Sequence, residues 1–378
     1  MSAAVDLQTV VARFVPEYRE RRALSPREGQ VCAHIRDCRT AALGVLERRC
    51  DGCGYTEAHY ASCRDRHCPK CQRRASARWS EREAANLLPV VYHHVVFTVP
   101  ASVNGWVSLH PEAVYGQLFA SAWSTLAAFG ARRLDGRLGM TAVLHTWGEQ
   151  LTRHVHLHCL VPGGALGEGG AWHPVKGQYL FPVRALARRF RGHFVAGLRR
   201  RAEAGALARV THPGEVDAVL DALMGVDWVV YSKPCLGHTE TVLAYLARYT
   251  HRIALSDSRL VAIDGQRVGL RVRDARRGGA RKTLWLDGVE LVRRYLLHVL
   301  PKGFMRIRHY GLLANRCRAE CLAAARAAIA AVPDGPGEAC DPDAALGIGD
   351  TLERACPRCH RATLRTRHRP ATPRRDTG

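Results

Sequence analysis

The amino-acid sequence predicts an α+β protein in which a small cysteine-rich module precedes a larger domain of strands and helices. Two observations carry that prediction. Seven of the fourteen cysteines fall between Cys32 and Cys71, a local density that points to a module built around bound metal. Beyond residue 89, short β-branched runs stopped by Pro or Gly are interspersed with longer helical runs, which is α+β ordering. The chain therefore divides into residues 1–88, helices and the cysteine-rich module; residues 89–320, the main domain; and residues 321–378, a basic tail. That tail is rich in Pro, Gly, Asp and Arg and is expected to be partly disordered apart from Cys356-Pro-Arg-Cys359.

In chain order, residues 5–22 read as an amphipathic basic helix broken at Pro16, and Ser25-Pro26-Arg27-Glu28 caps and starts the next. Gln72 to Leu88, without Gly or Pro, is a helix leading out of the cysteine segment. Tyr92 to Val99, stopped by Pro100, is a strand, and Pro111 to Phe129 a helix. Met140 to Trp147 and His154 to Val161 read as strands able to pair as an antiparallel hairpin, the second ended by Gly163-Gly164. Pro182 to Ala204 is a strongly basic helix, Trp228 to Tyr231 a strand, and Glu240 to Tyr249 a helix. Residues 259–286 form short strands around Asp264-Gly265 and Gly278-Gly279, followed by helices at Val289 to Val299 and Leu312 to Ala331.

Composition sets the class of partner. A hydrophobic fraction of 47% suits a globular core, but 56 Lys+Arg against 34 Asp+Glu leaves a formal charge of +22. That excess argues against an ordinary metabolic enzyme and for a polyanion as partner. Arginine dominates it, and its planar fork matches phosphate, so DNA is favoured over a membrane. The first 25 residues hold no signal-peptide core and no run reaches 18 apolar residues, so a cytoplasmic protein without a membrane partner is expected.

Cys50-Asp-Gly-Cys53 and Cys68-Pro-Lys-Cys71 are two knuckles separated by 14 residues, the spacing of a four-cysteine zinc ribbon. A structural Zn2+ there would supply folding energy that so small a module cannot draw from its own core. Cys32, Cys38, Cys63, His34, His59 and His67 remain as substitutes or as ligands of a second ion. Cys356 and Cys359 form a further half-site, with Cys340, Cys317 and Cys321 as candidate partners. Arg64, Arg66, Lys70, Arg73, Arg74 and Arg78 give the module a basic face suited to phosphates.

His154-Val155-His156-Leu157-His158 places three imidazoles at alternate strand positions, hence on one face, where they can hold a cation. The same residues would serve as a polar strand edge in a chain with 19 histidines, and the pattern also occurs in histidine-triad nucleotide hydrolases. Tyr245 and Tyr249, four apart among good helix formers, share one helical face. Such a pair is more often packing than chemistry. A neighbouring cation and Arg248, His251 and Arg252 would, however, help a phenol of pKa about 10 to act as a nucleophile.

Taken together, these residues make the chain resemble the two-tyrosine, histidine-hydrophobic-histidine (HUH) transposases of IS91-type rolling-circle insertion sequences. The resemblance runs through Cys38-Arg-Thr-Ala-Ala-Leu-Gly44, both knuckles, Tyr92 to Pro100, His154 to Gly164, Tyr245 to Leu260, and Leu297 to Gly311. It implies a central antiparallel sheet with the paired histidines on one strand and the tyrosine helix across it. It also implies Mg2+ or Mn2+ on His156 and His158, with a third ligand from Gln150, Glu149 or His154, and Tyr245 and Tyr249 as nucleophiles that leave a 5′-phosphotyrosine. Arg248, Arg252, Lys302, Arg306 and Arg308 are the expected DNA contacts. The DNA would be single-stranded element ends, opened by supercoiling, a hairpin or a host helicase, since no G-x4-G-K-[ST] loop is present. The alternatives are a plasmid relaxase or replication initiator, and a zinc-ribbon DNA-binding regulator without catalysis.

Overall fold

The computed structural model describes residues 5–177, 179–210, 212, 214–235, 242, 254–274, 278–331, 356–360 and 364–369. In chain order the elements are α1 (Leu7–Arg21), α2 (Pro26–Asp37), β1 (Val45–Cys50), β2 (Thr56–Tyr60), α3 (Pro69–Ala84), β3 (Tyr92–Thr98), α4 (Asn104–Leu109) and α5 (Pro111–Leu134). Next come β4 (Gly139–Trp147), β5 (Arg153–Pro162), β6 (Gly164–Leu166), β7 (Trp172–Pro174), α6 (Val183–Glu203), α7 (Glu215–Gly225) and β8 (Val230–Cys235). The chain continues through β9 (Leu260–Asp264), β10 (Arg267–Asp274), β11 (Ala280–Asp287), α8 (Gly288–Leu296), β12 (Ile307–Gly311), α9 (Arg318–Ala330) and β13 (Leu364–Arg369).

These elements form two compact units, one from residues 1–74, 255–299 and 340–378, the other from 75–254 and 300–339. Both are discontinuous, where the sequence suggested consecutive domains with limits at 88 and 320. A reading along the chain has no signal for a segment that leaves a unit and later returns.

In the first unit α1 passes through Pro16 without the expected break. Proline removes one intrahelical hydrogen bond, and the buried stripe of Leu7, Val10, Val11, Phe14 and Tyr18 outweighs that loss. Ser25 and Glu28 form the reciprocal capping box expected at the start of α2. Two three-stranded sheets follow the orders β13-β1-β2 and β11-β10-β9. Val268, Leu270 and Val272 bury one side of β10.

The second unit is built on an antiparallel sheet of five strands in the order β12-β4-β5-β3-β8. Val155, Leu157, Cys159 and Val161 of β5 lie in a core with Phe97 of β3 and with Leu118, Phe119, Phe190 and Phe194 of α5 and α6. Phe190 packs on Phe97 at 4.8 Å and on Trp228 at 5.2 Å between ring centroids. Trp228, expected in a strand, instead donates its indole N–H to the Leu223 carbonyl, and β8 begins at Val230. Pro234 is accommodated because β8 is an edge strand. The edge strand β12 was not foreseen. It ends at Gly311, whose φ of 62° suits glycine, and a Cβ there would run into the Leu138 carbonyl.

With one face of the sheet covered by α5 and α6, the alternate residues project from the other. Register places Thr141, Val143 and His145 of β4 opposite Leu160, His158 and His156 of β5. Across β5's other side, His94, Val96 and Thr98 of β3 stand opposite the same three. No helix among the described residues is long and apolar enough to cross a membrane.

Candidate metal centres

Among the described residues, the cysteines form two clusters, each with its four sulfurs mutually within 4.8 Å: Cys38, Cys63, Cys68 and Cys71, and Cys50, Cys53, Cys356 and Cys359. In the first, Cys71 Sγ lies 3.6 Å from both Cys38 Sγ and Cys63 Sγ. A tetrahedron of thiolates about 2.3 Å from zinc has edges of about 3.8 Å, whereas a disulfide would bring the sulfurs to about 2 Å. The separations fit the metal. Within the cluster the proton load is uneven: hydrogen bonds from Cys63, with Cys71 and Cys38 contributing, pull the Cys68 thiol down to about 6, while burial pushes Cys38 up to about 11 and the hydrogen bond with Cys68 pushes Cys63 up.

This pairing corrects the expected ribbon of Cys50, Cys53, Cys68 and Cys71: the two knuckles belong to different clusters. The three spare histidines are engaged otherwise. His34 and His67 lie 2.9 and 2.8 Å from the Asp65 carboxylate, and His59 lies 3.0 Å from Glu57. Burial opposes ionisation of Asp65, but hydrogen bonds from His67 and His34 hold its carboxyl well below the usual range. Cys317 and Cys321 face the Arg137 guanidinium at 3.2 and 3.9 Å, and Cys340 lies outside the described residues.

The third cluster is His145, His156 and His158 on the open face of the large sheet. Antiparallel pairing with β4 delivers His145 directly opposite His156. His156 and His158 bring their Nε2 atoms to 3.1 Å. His156 Nδ1 lies 2.9 Å from the His154 carbonyl, to which it donates, so that Nε2 presents a lone pair. His158 Nδ1 lies 2.8 Å from His94 Nε2, and giving its proton there frees the His158 Nε2 in the same way. Burial pushes His94 down to about 4, which keeps this supporting ring neutral. Two nitrogens on an octahedral ion at about 2.1 Å are about 3 Å apart, so the His156–His158 pair is spaced for a cation, with the ligand nitrogen of His145 within 4.8 Å of both.

The third imidazole is that of His145, not of His154, which is exposed and contributes its carbonyl. Glu149 and Gln150 lie in the exposed turn joining β4 to β5. His145 went unnoticed because its signal is not in its own strand, where it is a lone histidine. It emerges only when Met140 to Trp147 is placed in register with the histidine strand.

Tyr245, Tyr249, Arg248 and Arg252 lie outside the described residues. Val242, three positions before Tyr245, is described, and it is buried in a cluster with Trp79, Tyr92 and Leu160. Leu160 and Tyr92 stand two positions from His158 and His94 along their strands, on the histidine face. Of the other expected DNA contacts, Lys302 is exposed and Arg306 half-buried. Arg308 pairs with Ala142 on the opposite face, its guanidinium 4.3 Å from the Phe119 ring and 5.0 Å from that of Phe304, a packing role that the arginine count could not reveal.

Two four-cysteine clusters and a histidine trio on an open sheet face thus lie on the two units. Residues 10–99 match the family described as "Transposase zinc-binding domain", and residues 139–321 the family described as "Putative transposase". The chain is 39% identical to "Putative transposase y4qJ" of Sinorhizobium fredii (strain NBRC 101917 / NGR234), over 96% of this chain and 94% of that one. It is 27% identical to the "Transposase for insertion sequence element IS801" of Pseudomonas savastanoi pv. phaseolicola, over 79% of this chain and 73% of the relative. No solved structure matches it. The chain belongs to the two-tyrosine transposase family of IS91-type insertion sequences.

Proposed function

We propose that this transposase cuts and rejoins single-stranded DNA at the ends of its element, with a cation on His145, His156 and His158 and with Tyr245 and Tyr249 as nucleophiles. The observation that carries the reading is the imidazole trio on a sheet face against which Val242, just ahead of the tyrosine pair, is also packed. Three imidazoles are a softer donor set than Mg2+ prefers, so of the two expected ions Mn2+ fits better. When bound, the ion would polarise the scissile phosphate and offset charge on the pentacoordinate phosphorus.

The chain's own groups do the rest. The phenol oxygen of one tyrosine attacks phosphorus in line; a P–O(tyrosine) bond forms, the P–O3′ bond breaks, and the departing 3′-oxygen takes up a proton. Rejoining reverses these steps with a 3′-hydroxyl as attacker, so the phosphotyrosine conserves the bond energy and no nucleotide triphosphate is consumed. The second tyrosine allows a second transfer. His94 and the His154 carbonyl fix the ring orientations of His158 and His156. Arg248 and Arg252, near the tyrosines in sequence, and the exposed Lys302 supply positive charge to phosphates. Strand opening is left to supercoiling, a hairpin end or a host helicase.

The test is incubation of the full chain with a single-stranded oligonucleotide carrying an element end and Mn2+, followed by denaturing electrophoresis. Wild type is expected to form a denaturation-resistant protein–DNA adduct, and Tyr245→Phe/Tyr249→Phe none. An equal adduct from the double variant would overturn the assignment of the nucleophiles.

A further inference from the structure

The second cysteine cluster joins parts of the chain that sequence spacing would never group. Cys50 Sγ lies 3.7 Å from Cys359 Sγ, and Cys53 Sγ lies 3.5 Å from Cys356 Sγ. Those distances match the edge of about 3.8 Å of a zinc tetrathiolate and exclude sulfur–sulfur bonds of about 2 Å. Both halves are Cys-x2-Cys turns with the same backbone device, a left-handed residue directly after the second cysteine. These are Gly54 at φ 69° and His360 at φ 55°. Further bonds shape each turn: Gly54 N–H donates to the Cys50 carbonyl at 3.0 Å, and His360 N–H to the Cys356 carbonyl at 2.9 Å. Arg358 N–H donates to Cys356 Sγ at 3.4 Å, as amides do around metal-bound thiolates. A non-glycine residue held left-handed is strained, and a bound ion would offset that strain at His360. The downstream half lies beyond both matched family segments, which end at residues 99 and 321.

What this cluster would hold is β13, which pairs antiparallel with β1. Six residues of edge strand are a weak tether for a connection of some 300 residues, whose closure opposes docking by an entropy that grows with its length. Another source of affinity is needed, and four thiolates around one ion provide it.

We propose that Cys50, Cys53, Cys356 and Cys359 bind a second Zn2+, which clasps the arginine-rich strand β13 onto the cysteine module. The clasp makes docking of that basic strand dependent on zinc and separable from the ion held by Cys38, Cys63, Cys68 and Cys71.

The experiment is Co2+ substitution of the purified full chain, reading the thiolate-to-cobalt charge-transfer absorbance, with total zinc measured on parallel samples. Wild type is expected to bind two thiolate-ligated ions. Cys356→Ser/Cys359→Ser should keep half the absorbance, its survival showing that the module remains folded, and Cys38→Ser/Cys63→Ser should lose the other half. A wild type with one such ion, or a Cys356→Ser/Cys359→Ser variant with the full signal, would overturn the site. For the clasp, a protease recognition sequence is inserted between residues 340 and 350, and the cut chain is passed over a sizing column. The C-terminal fragment, which carries Cys356, Cys359 and β13, should stay bound in zinc and separate in chelator; retention in chelator would mean that strand pairing alone holds β13, and would contradict the clasp.

Discussion

The sheet unit and the cysteine module reach order by different means. In the sheet unit, β5 buries Val155, Leu157, Cys159 and Val161 against two long helices, and aromatic rings fill the space between. Burial of those apolar side chains supplies the sheet's stabilisation. Around the cysteines, β1 and β2 bury almost nothing except Cys50, and β2 is largely exposed. What converges in their place is two sets of four sulfurs. On the proposed reading, the sheet positions its histidines independently of any cation, whereas the module would depend on its ions for shape. A preformed histidine site can exchange its cation without losing its geometry, which suits a catalytic ion better than a structural one.

The largest expected effect breaks the comparison if it fails. Because structural zinc contributes about 10–16 kcal/mol to small modules and whole domains are stable by only about 5–15 kcal/mol, stripping zinc should unfold the module locally. Hydrogen exchange on the full chain would then show lost protection over residues 45–71 and retained protection over β3, β4 and β5. Loss in both places would show that the sheet, too, depends on metal.

A smaller effect sharpens the contrast between the two faces of β5. Leu157→Ala, at a fully buried position, should destabilise the sheet unit by about 2–5 kcal/mol, read as a shifted urea midpoint, while His158→Ala one residue on should leave that midpoint nearly unchanged and abolish the adduct. Smaller again is a pH effect in the sheet unit. Burial holds His93 and His309 down to about 4, below the unfolded value of about 6.5. The unfolded chain thus binds more protons between those values. Stability is complete above pH of about 6.5 and declines as pH falls towards 4. Urea midpoints across that window should slope accordingly, and His309→Asn should flatten the slope.

Much of this was legible in the sequence for local reasons. The period-two histidines and the β-branched runs declare β3, β4 and β5 because strand geometry is written in adjacent residues, and the capping box at Ser25 is equally local. The Cys-x2-Cys turns were legible as half-sites for the same reason. Their partners were not, because nothing in a knuckle encodes which other knuckle it meets, and Cys359 is 309 residues from Cys50. His145 was hidden because its place beside His156 depends on the β4–β5 register rather than on its own neighbours. β12 was missed because Ile307-Arg-His-Tyr alternates charged and aromatic residues, a pattern dominated by its basic character. Pro16 misled because the penalty of one lost hydrogen bond is visible in sequence and the compensating burial is not.

The central claim is that the sheet itself assembles the cation site from three imidazoles, and one measurement addresses it directly: Mn2+-dependent adduct yield on an element-end oligonucleotide for His145→Ala, His154→Ala and Gln150→Ala, each compared with wild type. The account predicts loss of the adduct by about 100-fold or more for His145→Ala, in line with removal of a metal-site group, and yields within a few-fold of wild type for the other two. Adduct formation that survives His145→Ala but vanishes with Gln150→Ala would contradict it.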